Sequence, residues 1–405
     1  MEQQRRAVHN GWYHETQSSQ QGHLPPAPHA AQVDDRFLLG LDTQLDPTLR
    51  QLFGEHSGLL HASRACYDAL FPEKVALSRT ATLSIYDRLS SALTVAQVTG
   101  VQPLCSHYAA RLAPLSSPDA SRESNIRQTH ITQFSRLLAT HPTLITPQML
   151  KQLADIGLST QDIVTFTQLI GFVSYQARVL AVLGALRGRI AAVLPGFPAP
   201  ESCVQHGFSL TSRQWQARLP EVDLTCASKQ QLDVLDLIAP EARSSSFYRL
   251  LVQDAPCLSE FSAVFNHVMH ARAQKKATWR ELAAVATSRL NGCVYCAAIH
   301  GRFYLEAGGD EGKIEWLFSE SNAVERRTAH RSTDAYNEDK VTPEYVLLQV
   351  TTALTQTPER FNADELHALS DAGYSAAQSL DILLTSALFA WSNRLIQTLG
   401  DTTAR

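Results

Sequence analysis

Apolar residues recur along most of this chain at helical spacing, and few runs alternate with the period of two that a half-buried strand requires. Leu282, Val285, Ala286 and Arg289, for example, fall at i, i+3, i+4 and i+7, one side of a helix. The longest apolar stretch, Ile163 to Leu186, is interrupted by Gln168, Gln176 and Arg178. It reads as a helix buried in a core, because a membrane span needs ~18 or more largely uncharged apolar residues. Thr146 and Asn362 stand where N-caps would open the helices that follow. The fold class predicted is all-α.

The helical pattern repeats itself. Leu150, Leu153, Asp155, Gly157 and Ser159, preceded by Pro142, recur as Leu366, Leu369, Asp371, Gly373 and Ser375, preceded by Pro358, at a constant offset of 216 residues. A long apolar helix follows each Gly/Ser turn, Asp162 to about Leu186 and Ala377 to about Leu399, with Arg178 and Arg394 at matching places. A shared turn and helix start that keep their spacing point to a fused duplication. The expected organisation is a mobile tail over residues 1–33, a helical domain over 34–193, a Pro- and Gly-rich connector over 194–246 and a second helical domain over 247–405.

Composition narrows the function class without naming it. The 405 residues are 44% hydrophobic and 18% charged, with a net charge of −4. That is a globular balance with no electrostatic case for nucleic acid or an anionic membrane. Seven scattered cysteines are an odd number for a disulfide framework, and the polar start Met1-Glu2-Gln3-Gln4-Arg5-Arg6 does not resemble a secretory signal. A reducing cytoplasm is the expected location. No Gly-rich nucleotide fingerprint follows a strand, so no cofactor is expected.

Candidate chemistry is concentrated between Thr278 and Glu306, which read as two helices broken at Asn291-Gly292. Cys293, Cys296 and His300 then share one face at the start of the second helix. Cα atoms three apart in a helix lie roughly 5–5.5 Å from one another, inside the disulfide window. A helix N-terminus also favours a thiolate. Glu281 lies ten residues before Asn291 and His300 nine after it, so an antiparallel pair brings carboxylate and imidazole together. This is the base–orienter arrangement of an activated nucleophile, with Cys296 attacking and Cys293 resolving. Half a zinc site, or two merely buried thiols, are the competing readings. His267 with His270, and Asn393 with Arg394, are weaker candidates for a metal and for an anionic substrate group.

Glu281, Cys293-Val294-Tyr295-Cys296 and His300 resemble the active-site pattern of alkylhydroperoxidase D-like proteins of the carboxymuconolactone decarboxylase superfamily. The resemblance runs from about Leu251 to Gly400 and includes Ser392-Asn393-Arg394. It implies an all-helical fold, subunit association and thiol peroxidase or disulfide reductase chemistry. The substrate would be a hydroperoxide or disulfide, and an external thiol or dithiol would restore the enzyme. It also implies that Cys296 attacks peroxide while Cys293, His300 and Glu281 support it. Tyr295 stands where several peroxidatic members carry histidine, and members that decarboxylate lack the cysteine pair. The first half, with Ser78-Arg79-Thr80 and Gly100 to Arg111, resembles the same superfamily without its site. Aligning Gly100 with Gly292 sets Val101, Leu104, Tyr108 and Leu89 against Cys293, Cys296, His300 and Glu281. Cys105 and His107 fall out of phase, so Cys105 reads as a packed thiol. One redox centre per chain is expected, beside a degenerate copy with a structural role.

Overall fold

The computed structural model describes residues 28–189, 207–270, 277–319, 342–357 and 360–404. The tail's residues 1–27, residues 194–206 of the connector and Pro358 of the repeat lie outside these. Helices dominate. The first half holds α1 (Pro47–Gly54), α2 (Ser57–Leu70), α3 (Ile85–Thr99), α4 (Gln102–Leu112), α5 (Arg122–Thr140), α6 (Pro147–Asp155) and α7 (Thr160–Leu186). After β1 (Arg213–Ala217) and α8 (Lys229–Ile238) come α9 (Ser246–Leu251), α10 (Ala255–Met269), α11 (Thr278–Leu290), α12 (Val294–Glu306) and α13 (Glu311–Phe318). The chain closes with α14 (Pro343–Thr355), α15 (Ala363–Asp371), α16 (Ala376–Leu399) and β2 (Gly400–Ala404).

The repeated residues do the same local work in both halves. Gly157 and Gly373 each sit at φ +91°, a left-handed conformation that a Cβ would strain. Leu158 N–H donates to the Leu153 carbonyl and Tyr374 N–H to the Leu369 carbonyl, both at 3.1 Å. These are the six-to-one bonds of a Schellman ending. Ser159 and Ser375 then open α7 and α16 with capping boxes closed by Asp162 and Gln378. The two predicted N-caps differ. Asn362 caps α15 through its side chain, whereas Thr146 holds the N-cap position of α6 without a side-chain bond.

The longest helices, α7 and α16, pack against each other and join the halves. Residues 162–185 of α7 are buried, so the apolar length that could cross a membrane is spent on this core. Gly171 permits the crossing, since a Cβ there would fall 2.2 Å from Trp391 Cδ1. Trp391 donates its indole N–H to Gln168 Oε1 at 2.8 Å and stacks on Tyr175, ring centroids 5.8 Å apart. Tyr175 and Trp391 are themselves equivalent positions of the repeat.

The matched arginines make the relation reciprocal. Arg178 donates to the Thr355 carbonyl at the end of α14, at 2.7 Å, and Arg394 donates to the Ala139 carbonyl at the end of α5. Ala139 and Thr355 are also one repeat apart, so each half caps the other's helix by the same bond. This is the isologous pattern of a twofold interface, here built within one chain. Arg394 is fully buried, and burial, then the like charge of Arg178, pushes its pKa well down. Carbonyl oxygens of Leu138, Ala139 and Ala390 offset that cost.

The described part of the connector, residues 207–246, is more than a spacer. β1 pairs antiparallel with β2, Trp215 opposite Thr402, and Trp215 donates its indole N–H to the Ile396 carbonyl at 3.0 Å. Arg218 binds the carbonyls of Gln397 and Thr398 at the end of α16. These bonds tie the connector to the second half.

Candidate active site

α11 and α12 form an antiparallel pair whose turn determines where the cysteines stand. Gly292 takes φ +74°. Its N–H bonds to the Arg289 carbonyl at 3.2 Å, and Cys293 N–H bonds to the Ser288 carbonyl at 2.8 Å. Cys293 therefore completes the Schellman ending of α11 and serves at once as N-cap of α12. Cys296 follows at the third helical position, where backbone N–H groups lack helical partners. Thr278–Leu290 and Val294–Glu306 are the two helices expected on either side of Asn291-Gly292.

The four predicted residues lie on α11, its closing turn and α12, and two of them meet directly. His300 Nδ1 lies 2.7 Å from Glu281 Oε2, as the counting of residues from the turn required. A carboxylate can only accept, so Nδ1 is the donor in this bond. Phe389 of α16 meets the imidazole edge-on at 4.6 Å between centroids and Phe303 at 5.7 Å, which fixes the ring plane. His300 retains 8% of its surface, Cys296 6% and Cys293 1%. Both cysteines are thus nearly closed off from solvent.

The thiol of Cys296 is held well above its ordinary pKa, first by its hydrogen bond to the Cys293 sulfur and then by burial. An amide bond from Asn393 and the Cys296 backbone N–H work in the opposite direction. A base must therefore take the Cys296 proton before that sulfur can attack. Tyr295 packs half-buried, and burial, then Cys296 and Cys293, keeps its phenol protonated beyond the usual range.

The weaker candidates separate. His267 packs its ring over Gly58 of α2, where a Cβ would fall 2.4 Å from Cε1. His270 instead lies in the field of Glu281 and His300, with burial lowering its pKa. Among the described residues no group of three or more His, Cys, Asp or Glu is placed to hold a metal ion. Arg394 is committed to backbone carbonyls and is not free for a substrate anion.

Sequence reasoning does not assign Ser288 and Asn291 to the site, and it reads Asn393 only as a holder of an anionic substrate group beside Arg394. Asn393 Oδ1 accepts from Asn291 Nδ2 at 3.0 Å and Asn393 Nδ2 donates to Ser288 Oγ at 3.0 Å. The bonds span more than a hundred residues, and no local period encodes them. The Ser392-Asn393-Arg394 run was the available signal.

The corresponding place in the first half is filled. Val101, Leu104, Tyr108 and Leu89 are all buried. Tyr108 donates to Gln176 Oε1 at 2.7 Å, and Gln176 in turn donates to the carbonyl of Phe37 at 2.9 Å. His107, one position out of phase, bonds the Ala30 carbonyl at 2.8 Å and the Tyr67 hydroxyl at 2.7 Å. Burial pushes the pKa of Cys105 up to about 12, in keeping with a packed thiol.

Residues 260–321 match the model of the carboxymuconolactone decarboxylase family. No curated protein and no solved structure matches the chain. The matched span holds α11, the Gly292 turn, α12 and all four predicted site residues. Residues 260–321 are thus a carboxymuconolactone decarboxylase family domain set in the second half of a longer, mostly helical chain.

Proposed function

We propose that this protein is a thiol-dependent peroxidase-type oxidoreductase working through a Cys293/Cys296 dithiol–disulfide couple. The observation that carries the reading is the His300–Glu281 bond of 2.7 Å, one helical turn from the buried Cys296 and on the helix that Cys293 caps. The matched family includes alkylhydroperoxidase D-like enzymes, and this chain has the dithiol such chemistry uses. His300 Nε2, one turn from Cys296 on α12, takes the thiol proton while Glu281 steadies the imidazolium. The Cys296 sulfur attacks the outer oxygen of a hydroperoxide. The O–O bond breaks, an alcohol leaves with the proton, and Cys296 becomes a sulfenic acid. Cys293 displaces water from it, closing the disulfide, and an external dithiol returns both electrons. The reductant and any self-association of the chain are part of this proposal. The first half serves as scaffold.

Thiol counting tests it. One equivalent of hydroperoxide should lower the seven thiols of the reduced chain to five, with Cys293 and Cys296 linked in peptide maps. Tyr295, protonated and half-buried, favours a second reading, a disulfide reductase without useful peroxidase activity. Unchanged thiols after peroxide, with rapid reduction of a small aromatic disulfide by the same pair, would establish that reading instead. Stoichiometric zinc with both thiols protected would exclude both.

A further inference from the structure

Two copies of one fold in a single chain, one with the dithiol and one without, allow the site's requirements to be read by subtraction. The arginine that joins the halves is retained in both, as Arg178 and Arg394. Its immediate neighbour is not. Asn393 corresponds to Ala177, and the residue it bonds, Ser288, corresponds to Ala96 by the spacing that matches Gly292 to Gly100. The asparagine and its anchor are absent from the copy that lacks the thiols. A residue needed only to pack α7 against α16 would have no reason to follow the cysteines.

The amide is also fully oriented. Asn393 is completely buried on α16. Its oxygen accepts from Asn291 Nδ2, so its nitrogen must face the other way. One N–H goes to Ser288 Oγ at 3.0 Å. The second N–H is left over, and the Asn393 amide favours the anionic form of the Cys296 sulfur. Asn291 is itself the last cap of α11, and Gln397 Nε2 binds its carbonyl at 3.0 Å. The turn that positions Cys293 and the amide that meets Cys296 therefore belong to one network.

We propose that Asn393 is a working part of the redox centre: its amide N–H holds the Cys296 sulfur as an anion, both before attack and when the disulfide is reopened, while Ser288 and Asn291 keep it aimed. The proposal rests on Cys296 being a reacting sulfur, but not on peroxide being its substrate. Reopening the disulfide at the Cys293 sulfur makes Cys296 the leaving thiolate, and the same N–H receives that charge.

The test is the pH profile of Cys296 alkylation by iodoacetamide, read by peptide mass in a Cys293→Ser background without any peroxide. Asn393→Leu keeps the branched shape and removes the donor, and Asn393→Ala removes it without risk of overpacking. Either folded variant should move the midpoint up by about 1–2 pH units, the usual worth of a hydrogen bond to a charged group. Ser386→Ala is the control. Ser386 is equally buried on α16 and bonds Thr287 of α11 at 3.0 Å, two turns from Asn393. Its midpoint should stay in place. An unchanged profile in the Asn393 variants, or an equal shift in Ser386→Ala, overturns the proposal. Because no peroxide is present, failure of the peroxidase reading leaves a different trace, namely an Asn393-dependent profile in a protein whose dithiol ignores peroxide.

Discussion

The two halves share their turns, their longest helix and their interdomain arginine, yet differ at every position where chemistry is proposed. In the second half the site holds two thiols, an imidazole–carboxylate pair and an asparagine. In the first half the same space holds Val101, Leu104, Leu89, Tyr108 and Ala177, and the polar groups that remain bond structural partners. What both copies keep is what holds the molecule together. What only one keeps is what a reaction would need.

The contrast breaks most directly at the sulfurs. Cys296→Ser should lower hydroperoxide turnover at least ~1,000-fold, since water-like hydroxyls do not replace a thiolate. Cys293→Ser should still consume one equivalent of peroxide, leaving a sulfenic acid that a dimedone probe traps. If the two results are exchanged, the roles of the two cysteines are exchanged too. Next come Glu281→Gln and His300→Gln, each expected to cost about 10²–10⁴-fold in turnover. Because the Cys296 thiol pKa is raised, the residual rate in His300→Gln should climb with pH well above neutrality, where hydroxide replaces the imidazole as base. A pH profile identical to the wild type would remove His300 from the proton path.

Stability measurements sharpen the shared side of the comparison. Arg178→Met and Arg394→Met should each destabilise by about 2–4 kcal/mol in urea unfolding, because each leaves buried helix-end carbonyls unpaired. Two very different losses would contradict the reciprocal capping. The first half's own histidine supplies a pH test. Burial lowers the pKa of His107 from 6.5 to about 4, with the Ala30 carbonyl opposing it. The folded state then binds fewer protons than the unfolded state between those values. Its contribution, about 3 kcal/mol, is present above pH 6.5 and is lost as pH falls through about 4. His107→Gln should flatten the fall in stability over that window in acid titration.

The smallest effect expected is the most informative about sufficiency. Val101→Cys with Leu104→Cys restores a dithiol to the first half at a cost of about 1–3 kcal/mol. It should add no peroxide consumption, because Leu89, Tyr108 and Ala177 supply neither base nor amide. Measurable turnover from the restored pair in a Cys296→Ser background would show that the thiols alone suffice.

Much of this was legible before any coordinates. The helix pair around Gly292 followed from a turn dipeptide, and the meeting of Glu281 with His300 followed from equal distances to that turn. Those are local or one-dimensional quantities. The β1–β2 pairing was not legible, since Arg213–Ala217 and Gly400–Ala404 are short, polar and almost two hundred residues apart. Nor was the work of Asn393 beside Arg394, where one residue serves the site and the next serves the interface. Adjacent positions on a buried helix point to different neighbours, and only the packed structure says which.

The pairing of β1 with β2 has a consequence for how the molecule is made. Leu210, just before β1, sits on α12, where a Cβ on Gly301 would fall 2.8 Å from Leu210 Cδ2, and Arg302 binds the Leu210 carbonyl at 3.0 Å. The strand that fastens this segment, residues 400–404, is synthesised about a hundred residues after α12. During translation the helix bearing Cys296 is therefore complete long before its cover can be latched. A nascent chain should expose these thiols to the cellular redox buffer, and a ribosome-stalled chain ending before Gly400 should be alkylated at Cys296 faster than the finished protein.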